Sequence, residues 1–270
     1  MYRTLKLEIR GAVATVTLNR PEARNAMSTA LMREMIACAG RIGAKREIDV
    51  VILRGAGRYF SAGRDLKDAK SWYGSGQTLD QQREMASLGF RMARAWEELP
   101  QITIAAIDGY AVGGGVALVA ALDWRVLSED AYMWLPEIAL GIPLTWGTLP
   151  RLVNLVGPAR AKRLAILCER IPAAQALAMG LVDYVAPPGK SVQTARAIAA
   201  ALLQLPRHSV RMTKETVNAY AGIGAHAASH MAHDQVQLAS ASAEARSARE
   251  AFAARKKAAS PAGSRARGRR

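Results

Sequence analysis

Apolar and polar residues alternate over residues 5–9 and again over residues 13–18, with Gly11 between the two runs. A period of two puts every second side chain on one face, so these runs predict a half-buried hairpin. Asn19-Arg20-Pro21-Glu22 breaks the alternation. The period then lengthens: Leu31, Met32, Met35, Ile36 and Ala39 share one face of a helix that Ser28 caps and that runs to about Ile42. Val50-Val51-Ile52-Leu53 is wholly apolar and stops at Gly55 and Gly57, the mark of a strand buried on both faces. Residues 102–107 form a second such run, and residues 124–127 and 132–134 predict two more. Helical stretches separate these runs, so the chain reads as β and α segments in series.

Beyond Leu149 the pattern is helical. Pro158 opens one helix through Leu164, residues 172–179 make a second that Gly180 stops, and residues 194–205 and 209–220 make two more. The Ala-rich stretch 225–254 makes one long helix or two. So much helix needs an apolar partner, either its own core or a neighbouring subunit.

Composition narrows the class. Half of the residues are hydrophobic and 6% are aromatic, so the core is built of Ala, Val, Leu and Ile. No apolar run reaches the roughly 18 residues of a membrane span, because Asp108 and several glycines interrupt residues 102–119. Met1-Tyr2-Arg3-Thr4-Leu5 carries no signal-peptide apolar region, and Cys38 and Cys168 lack the spacing of a zinc site or a disulfide framework. These features predict a soluble, cytoplasmic protein with no metal. The net charge is +15, and residues 255–270 hold seven Lys and Arg with no acid, so the tail supplies +7 of it. That tail, interrupted by Ser-Pro-Ala-Gly-Ser, is expected to be disordered beyond Ala258. It has no aromatic residues interleaved for base stacking, so it offers charge without a surface that reads nucleic acid.

The chemistry gathers around Gly113-Gly114-Gly115, which opens an apolar helix expected over residues 116–122. The first amides of a helix have no partner inside it and stand at the positive end of its dipole, where they can hold a developing oxyanion. Glu137 follows on a loop rich in Pro and Gly. An anion hole with one positioned carboxylate is a site for enolate chemistry.

Five segments in order carry a resemblance: Asn19-Arg20-Pro21-Glu22-Ala23-Arg24-Asn25-Ala26, Phe60-Ser61-Ala62-Gly63-Arg64-Asp65-Leu66, Asp108-Gly109-Tyr110-Ala111-Val112-Gly113-Gly114-Gly115, Leu135-Pro136-Glu137 and Gly180-Leu181-Val182-Asp183. The chain is identified as a member of the crotonase (enoyl-CoA hydratase/isomerase) superfamily. The resemblance implies an α/β fold, a ββα spiral with a C-terminal helical trimerisation region. It divides the chain into a spiral core over 1–200, a helical oligomerisation region over 201–257 and a basic tail over 258–270. It also implies an acyl-CoA substrate, a homotrimer or hexamer, and no cofactor beyond the coenzyme A of the thioester itself.

Carried over by motif, the oxyanion donors are the backbone N–H groups of Arg64 and Gly114, with Glu137 as acid/base beside Pro136 and Gly113. Coenzyme A is expected along Ala23, Arg24, Ser61, Ala62, Gly63, Asp65, Leu66 and Lys67, with Arg24 and Lys67 toward the phosphates. The segment with Phe252 and Arg255 resembles the one that reaches a neighbouring subunit's coenzyme A. Members that hydrate enoyl-CoA carry a second glutamate just after the glycines, and here that position is Ala117. One carboxylate suffices to shift a double bond from the 3,4 to the 2,3 position, and it serves related hydratase-lyases of aromatic acyl-CoAs as well. Where the family's loop continues with small residues, this chain reads Leu144-Thr145-Trp146, and Trp146 either lines the acyl tunnel or fills core. In the stretch 67–98, Trp72, Tyr73, Met85, Leu88, Phe90 and Met92 are available to cover an acyl chain, with a hinge at Gly74-Ser75-Gly76.

Overall fold

The computed structural model describes residues 2–68, 78–225, 229 and 232–258. The hairpin is present: β1 (Leu5–Arg10) pairs antiparallel with β2 (Val13–Leu18). From there every neighbour in the large sheet is parallel, in the order β1-β2-β3-β4-β6-β9, where β3 is Val50–Gly55, β4 Ile102–Ile107, β6 Trp124–Ser128 and β9 Tyr184–Ala186. A second sheet holds β5 (Tyr110–Val112), β7 (Tyr132–Trp134) and β8 (Arg170–Pro172). β4 and β6 each feed the large sheet and are each followed at once by a strand of the small one, which is the repeating ββα unit of a spiral.

The buried runs behave as their composition requires. Val51 and Leu53 of β3 face one core with Ala105, Ile107 and Leu127, packed by α1 (Thr29–Gly43), α2 (Leu79–Glu97) and α3 (Gly114–Val119). Val50 and Ile52 face the other core with Ile104, Ala106 and Val126, closed by Ala195 and Ala199 of α6 (Ser191–Leu202). A strand that buries both faces has no polar positions to alternate, hence the continuous apolar runs.

The predicted helices appear with shifted ends. Ser28 caps α1, its hydroxyl accepting from the Leu31 N–H at 3.2 Å. α4 (Thr148–Leu167) is two helices joined at Gly157, whose φ of 77° lies outside helical geometry just before Pro158. α5 is Ala173–Ala178, and α6 begins three residues before its expected start, at Ser191. α7 (Arg207–Ala221) follows directly on Pro206, which sits at the N-cap. Among the described residues from 232 on, the Ala-rich stretch holds α8 (Ala232–Ala241) and α9 (Ala243–Ala258), separated where Ser242 re-caps the chain by accepting from the Ala245 N–H at 3.0 Å. α2 carries the Met stripe, with Met85, Leu88 and Met92 buried, so that stripe is packing. Trp72, Tyr73, the Gly74-Ser75-Gly76 hinge and the tail beyond Ala258 lie outside the described residues. Among the described residues no helix is long and apolar enough to cross a membrane.

Candidate active site

The segment Ser61-Ala62-Gly63-Arg64 is threaded between two stretches of backbone. On one side Ser61 bridges Ala111 in parallel fashion: the Ser61 N–H donates to Tyr110 O at 3.2 Å and the Val112 N–H to Ser61 O at 3.0 Å. On the other, Arg64 bridges Met27, with the Met27 N–H donating to Gly63 O at 2.7 Å and the Asp65 N–H to Met27 O at 3.1 Å. Successive amides along an extended segment point to opposite sides. Since the Asp65 N–H points at Met27, the Arg64 N–H points the other way. Gly63 (φ +80°) lies on that other side against β5 and α3: a Cβ there would stand 2.5 Å from Val112 O and 3.2 Å from the Gly114 nitrogen. Only a glycine lets the two strands approach this closely.

The surrounding loop is fixed by side chains. Asn25, fully buried at φ 54°, donates to Ala56 O at 2.9 Å and Tyr59 O at 2.8 Å and accepts from the Arg20 N–H at 3.0 Å. Ser61 Oγ donates to Asn25 O at 2.9 Å and accepts from the Gly63 N–H at 3.1 Å. Asp65 pairs with Arg20 at 2.8 Å and takes the Lys67 N–H at 3.0 Å, which gives this predicted ligand-side acid a structural role in the loop.

Each of the three glycines meets a different neighbour. Gly113 (φ +52°) caps α3 and donates its N–H to Trp134 O at 2.8 Å; a Cβ there would stand 2.6 Å from Glu137 Oε1. Gly114 is the first residue of α3, and a Cβ on it would lie 2.4 Å from the indole of Trp146. Gly115 packs on Ser61, whose carbonyl oxygen would be 3.1 Å from its Cβ. The helix starts two residues earlier than expected, so Gly114 and Gly115 are inside it.

Glu137 leads into a 3₁₀ turn at Ile138–Leu140, directly after buried Pro136. The residue as a whole is partly exposed, yet Oε2 is buried with no hydrogen-bond partner among the described residues. Burial pushes the carboxyl up to about 7, because taking its charge out of water is unfavourable and only its own backbone amide offsets this. A carboxyl titrating near neutrality can both accept and return a proton. Ala117 lies one turn above Gly113, its N–H bonded to Gly113 O at 3.0 Å. Ala117 thus sits in the first turn of α3, where it offers a methyl group and no carboxylate.

The sequence profile of the enoyl-CoA hydratase/isomerase family matches residues 8–260. The chain belongs to that family. It is 37% identical over 213 residues to the short-chain-enoyl-CoA hydratase of Clostridium acetobutylicum, an alignment covering 78% of this chain and 80% of that one. It superposes on the crystal structure of an enoyl-CoA hydratase from Mycobacterium avium subsp. paratuberculosis with a TM-score of 0.83 and 28% identity, over 94% of this chain and 97% of that one. An enoyl-CoA hydratase/isomerase structure from Xanthobacter autotrophicus gives 0.80 and 30% over 88% of each chain.

In this family member the remaining predicted residues are spread around the site. Ala23 ends a 3₁₀ turn, and exposed Arg24 adopts φ 54° so that its carbonyl accepts the Ala62 N–H at 3.0 Å. That bond joins the two segments expected to hold coenzyme A. Leu66 and Lys67 are exposed at the rim. Trp146 is 7% exposed and stands beside Gly114. Within this chain α9 packs beside the turn that follows Glu137. Ala245 covers Gly141, Phe252 stacks on Trp134 with centroids 6.3 Å apart, and Arg255 is exposed one turn later.

Sequence reasoning missed the residue that holds the far end of α3. Arg125 is buried at 1% exposure, donates to Leu122 O at 2.8 Å and Val119 O at 3.3 Å, and pairs with Asp183 at 2.8 Å. An arginine inside the apolar run of β6 was the available signal, and Asp183 of the Gly180-Leu181-Val182-Asp183 segment is its counter-ion. A hollow of about 470 Å³ between α2, α4 and α7 is a separate feature, lined by Glu97, Arg151 and Asn218 and touched by neither Glu137 nor the glycines.

Proposed function

We propose that the enzyme moves a proton at the α-carbon of an acyl-CoA thioester, with Glu137 as its single acid/base. In this reading the thioester oxygen accepts from the Arg64 and Gly114 N–H groups. Glu137 takes a proton from C2 of a 3-enoyl thioester, and the C–H electron pair flows into the carbonyl to give an enolate that the two amides stabilise. The same carboxyl then returns the proton at C4, the C2–C3 double bond forms, and the oxyanion collapses to the carbonyl. Nothing is added or lost, so one carboxylate suffices.

The observation that carries this is a Glu137 carboxyl, raised to about 7 and set against Gly113 at the start of α3, in a helix whose position 117 carries only a methyl group. Hydration needs one group to activate water while another handles the α-proton, and Ala117 cannot be the second. Exposed Arg24 and Lys67 stand on the loops joined at Ala62 and suit the phosphates of coenzyme A. A homotrimer or hexamer fits the apolar side chains that α7 and its C-terminal turn leave open, Tyr220 at 80% and Ile223 at 76% exposure.

Incubation with 2-enoyl-, 3-enoyl- and aryl-enoyl-CoA in deuterated water, with products followed by mass, tests the reading. Isomerised product with no added water is expected, with deuterium entering only where the carboxyl exchanges with solvent before it returns the proton. Hydrated product from the 2-enoyl substrate at a comparable rate sinks the single-base assignment.

A further inference from the structure

Three local departures from ordinary backbone and helix chemistry converge on one indole. Trp146 has φ 61°, a left-handed conformation that bulky residues rarely adopt. Gly89 interrupts the middle of α2, where glycine weakens a helix, and a Cβ there would lie 1.9 Å from the Trp146 ring. Gly114 opens α3, and a Cβ there would lie 2.4 Å from the other edge of the same ring. The indole thus fills a slot cut by two glycines between α2 and α3.

A clamp outside the slot holds the loop in this conformation. The Arg151 guanidinium donates through Nη1 to Trp146 O at 2.7 Å and grips Glu97 with Nε at 2.8 Å and Nη2 at 2.7 Å. Thr148 adds a bond from Oγ1 to Thr145 O at 2.5 Å. The three guanidinium bonds use the planar fork of arginine, which a lysine cannot reproduce. Glu97 belongs to α2, so the clamp ties the loop to the same helix that supplies Gly89.

We propose that Trp146 is the specificity-determining residue of this enzyme, the end wall that restricts the acyl group to short chains, and that Arg151 is its positioning residue. This rests on the reading of Gly114 as an oxyanion donor. A thioester oxygen on the Gly114 N–H brings the acyl carbons alongside the indole, which occupies the space between α2 and α3. A chain that must extend past this wall meets a ring already packed on both sides.

The test is a ladder of saturated acyl-CoA thioesters, C4 to C12, titrated calorimetrically into the full-length protein, Trp146→Gly, Trp146→Phe and Arg151→Met. Saturated thioesters bind without any proton transfer, so the ladder is independent of Glu137. The wild type is expected to bind C12 at least tenfold more weakly than C4. Trp146→Gly, which suits a positive φ, is expected to bring the two within threefold, with Trp146→Phe between and Arg151→Met shifting the same way, all at unchanged affinity for free coenzyme A. The same ladder in wild type and Trp146→Gly overturns the proposal. Failure of every thioester to bind the wild type overturns the functional reading and this one with it. Gly89→Ala provides a check that needs no ligand. It is expected to lower the melting temperature in the wild type but not in Trp146→Gly, and an equal drop in both contradicts the slot.

Discussion

Glu137 Oε1 stands 2.6 Å from the place where a side chain on Gly113 would begin. Glu137, the proposed acid/base, and the first glycine of the triplet are thus a matched pair: the bare glycine leaves room for the carboxyl at the helix start. Gly113→Ala is expected to push Glu137 aside and to strain a backbone at φ +52°. Misplacing a catalytic group by an ångström can lower turnover about 100-fold, while a Cβ at φ 52° and ψ −115° adds backbone strain of about 1–3 kcal/mol. Steady-state kinetics beside thermal melts check this; an active, equally stable variant contradicts the contact.

Glu137→Gln separates function from stability. In the folded chain the carboxyl keeps its proton up to about 7, against an ordinary value of 4.5. The folded state therefore binds more proton than the unfolded one between those values, and stability is lost as pH rises through that window. Above it, the substitution is expected to stabilise the protein by an amount on the order of 3 kcal/mol. Below pH 4.5 the gain disappears. Denaturant unfolding of both proteins at pH 4 and pH 8 measures it.

Arg125 and Asp183 anchor the rear of α3. Asp183→Asn leaves a buried guanidinium without its counter-ion, a change expected to cost about 3 kcal/mol. Because the same guanidinium holds the Leu122 and Val119 carbonyls, turnover is expected to fall with stability. Unfolding curves and kcat on one preparation give both numbers.

Tyr220 and Ile223 are expected to be covered by a second copy. Replacing both with Asp should reduce the solution mass from that of a trimer or hexamer toward a single chain, measured by light scattering. A monomeric wild type contradicts the expected assembly.

What was legible beforehand follows from period and composition. The alternation of residues 13–18 and the unbroken apolar run of residues 50–53 name their strands because burial of one face or two leaves a distinct trace in sequence. The five family segments named Ser61, Gly63, Gly114 and Glu137, which the fold sets around the start of α3. Helix ends were less readable: Gly113 caps α3 through a positive φ, and Ser242 splits the last helical stretch with a single hydroxyl. Least readable were long-range partners. Nothing near Asp65 in sequence announces Arg20, and nothing near Trp146 announces Gly89, because each pairing exists only once the chain has folded.

Exchange of the α-protons of a saturated short-chain acyl-CoA in deuterated water, compared between the wild type and Glu137→Gln, tests the central claim most directly. It reads enolate formation alone, whatever reaction follows. The account predicts wild-type exchange at C2 that slows at least 100-fold in the variant, in keeping with the usual contribution of a positioned acid/base of about 10²–10⁴-fold. Exchange that persists unchanged in Glu137→Gln would show that another group moves the proton, and the single-carboxylate site would be wrong.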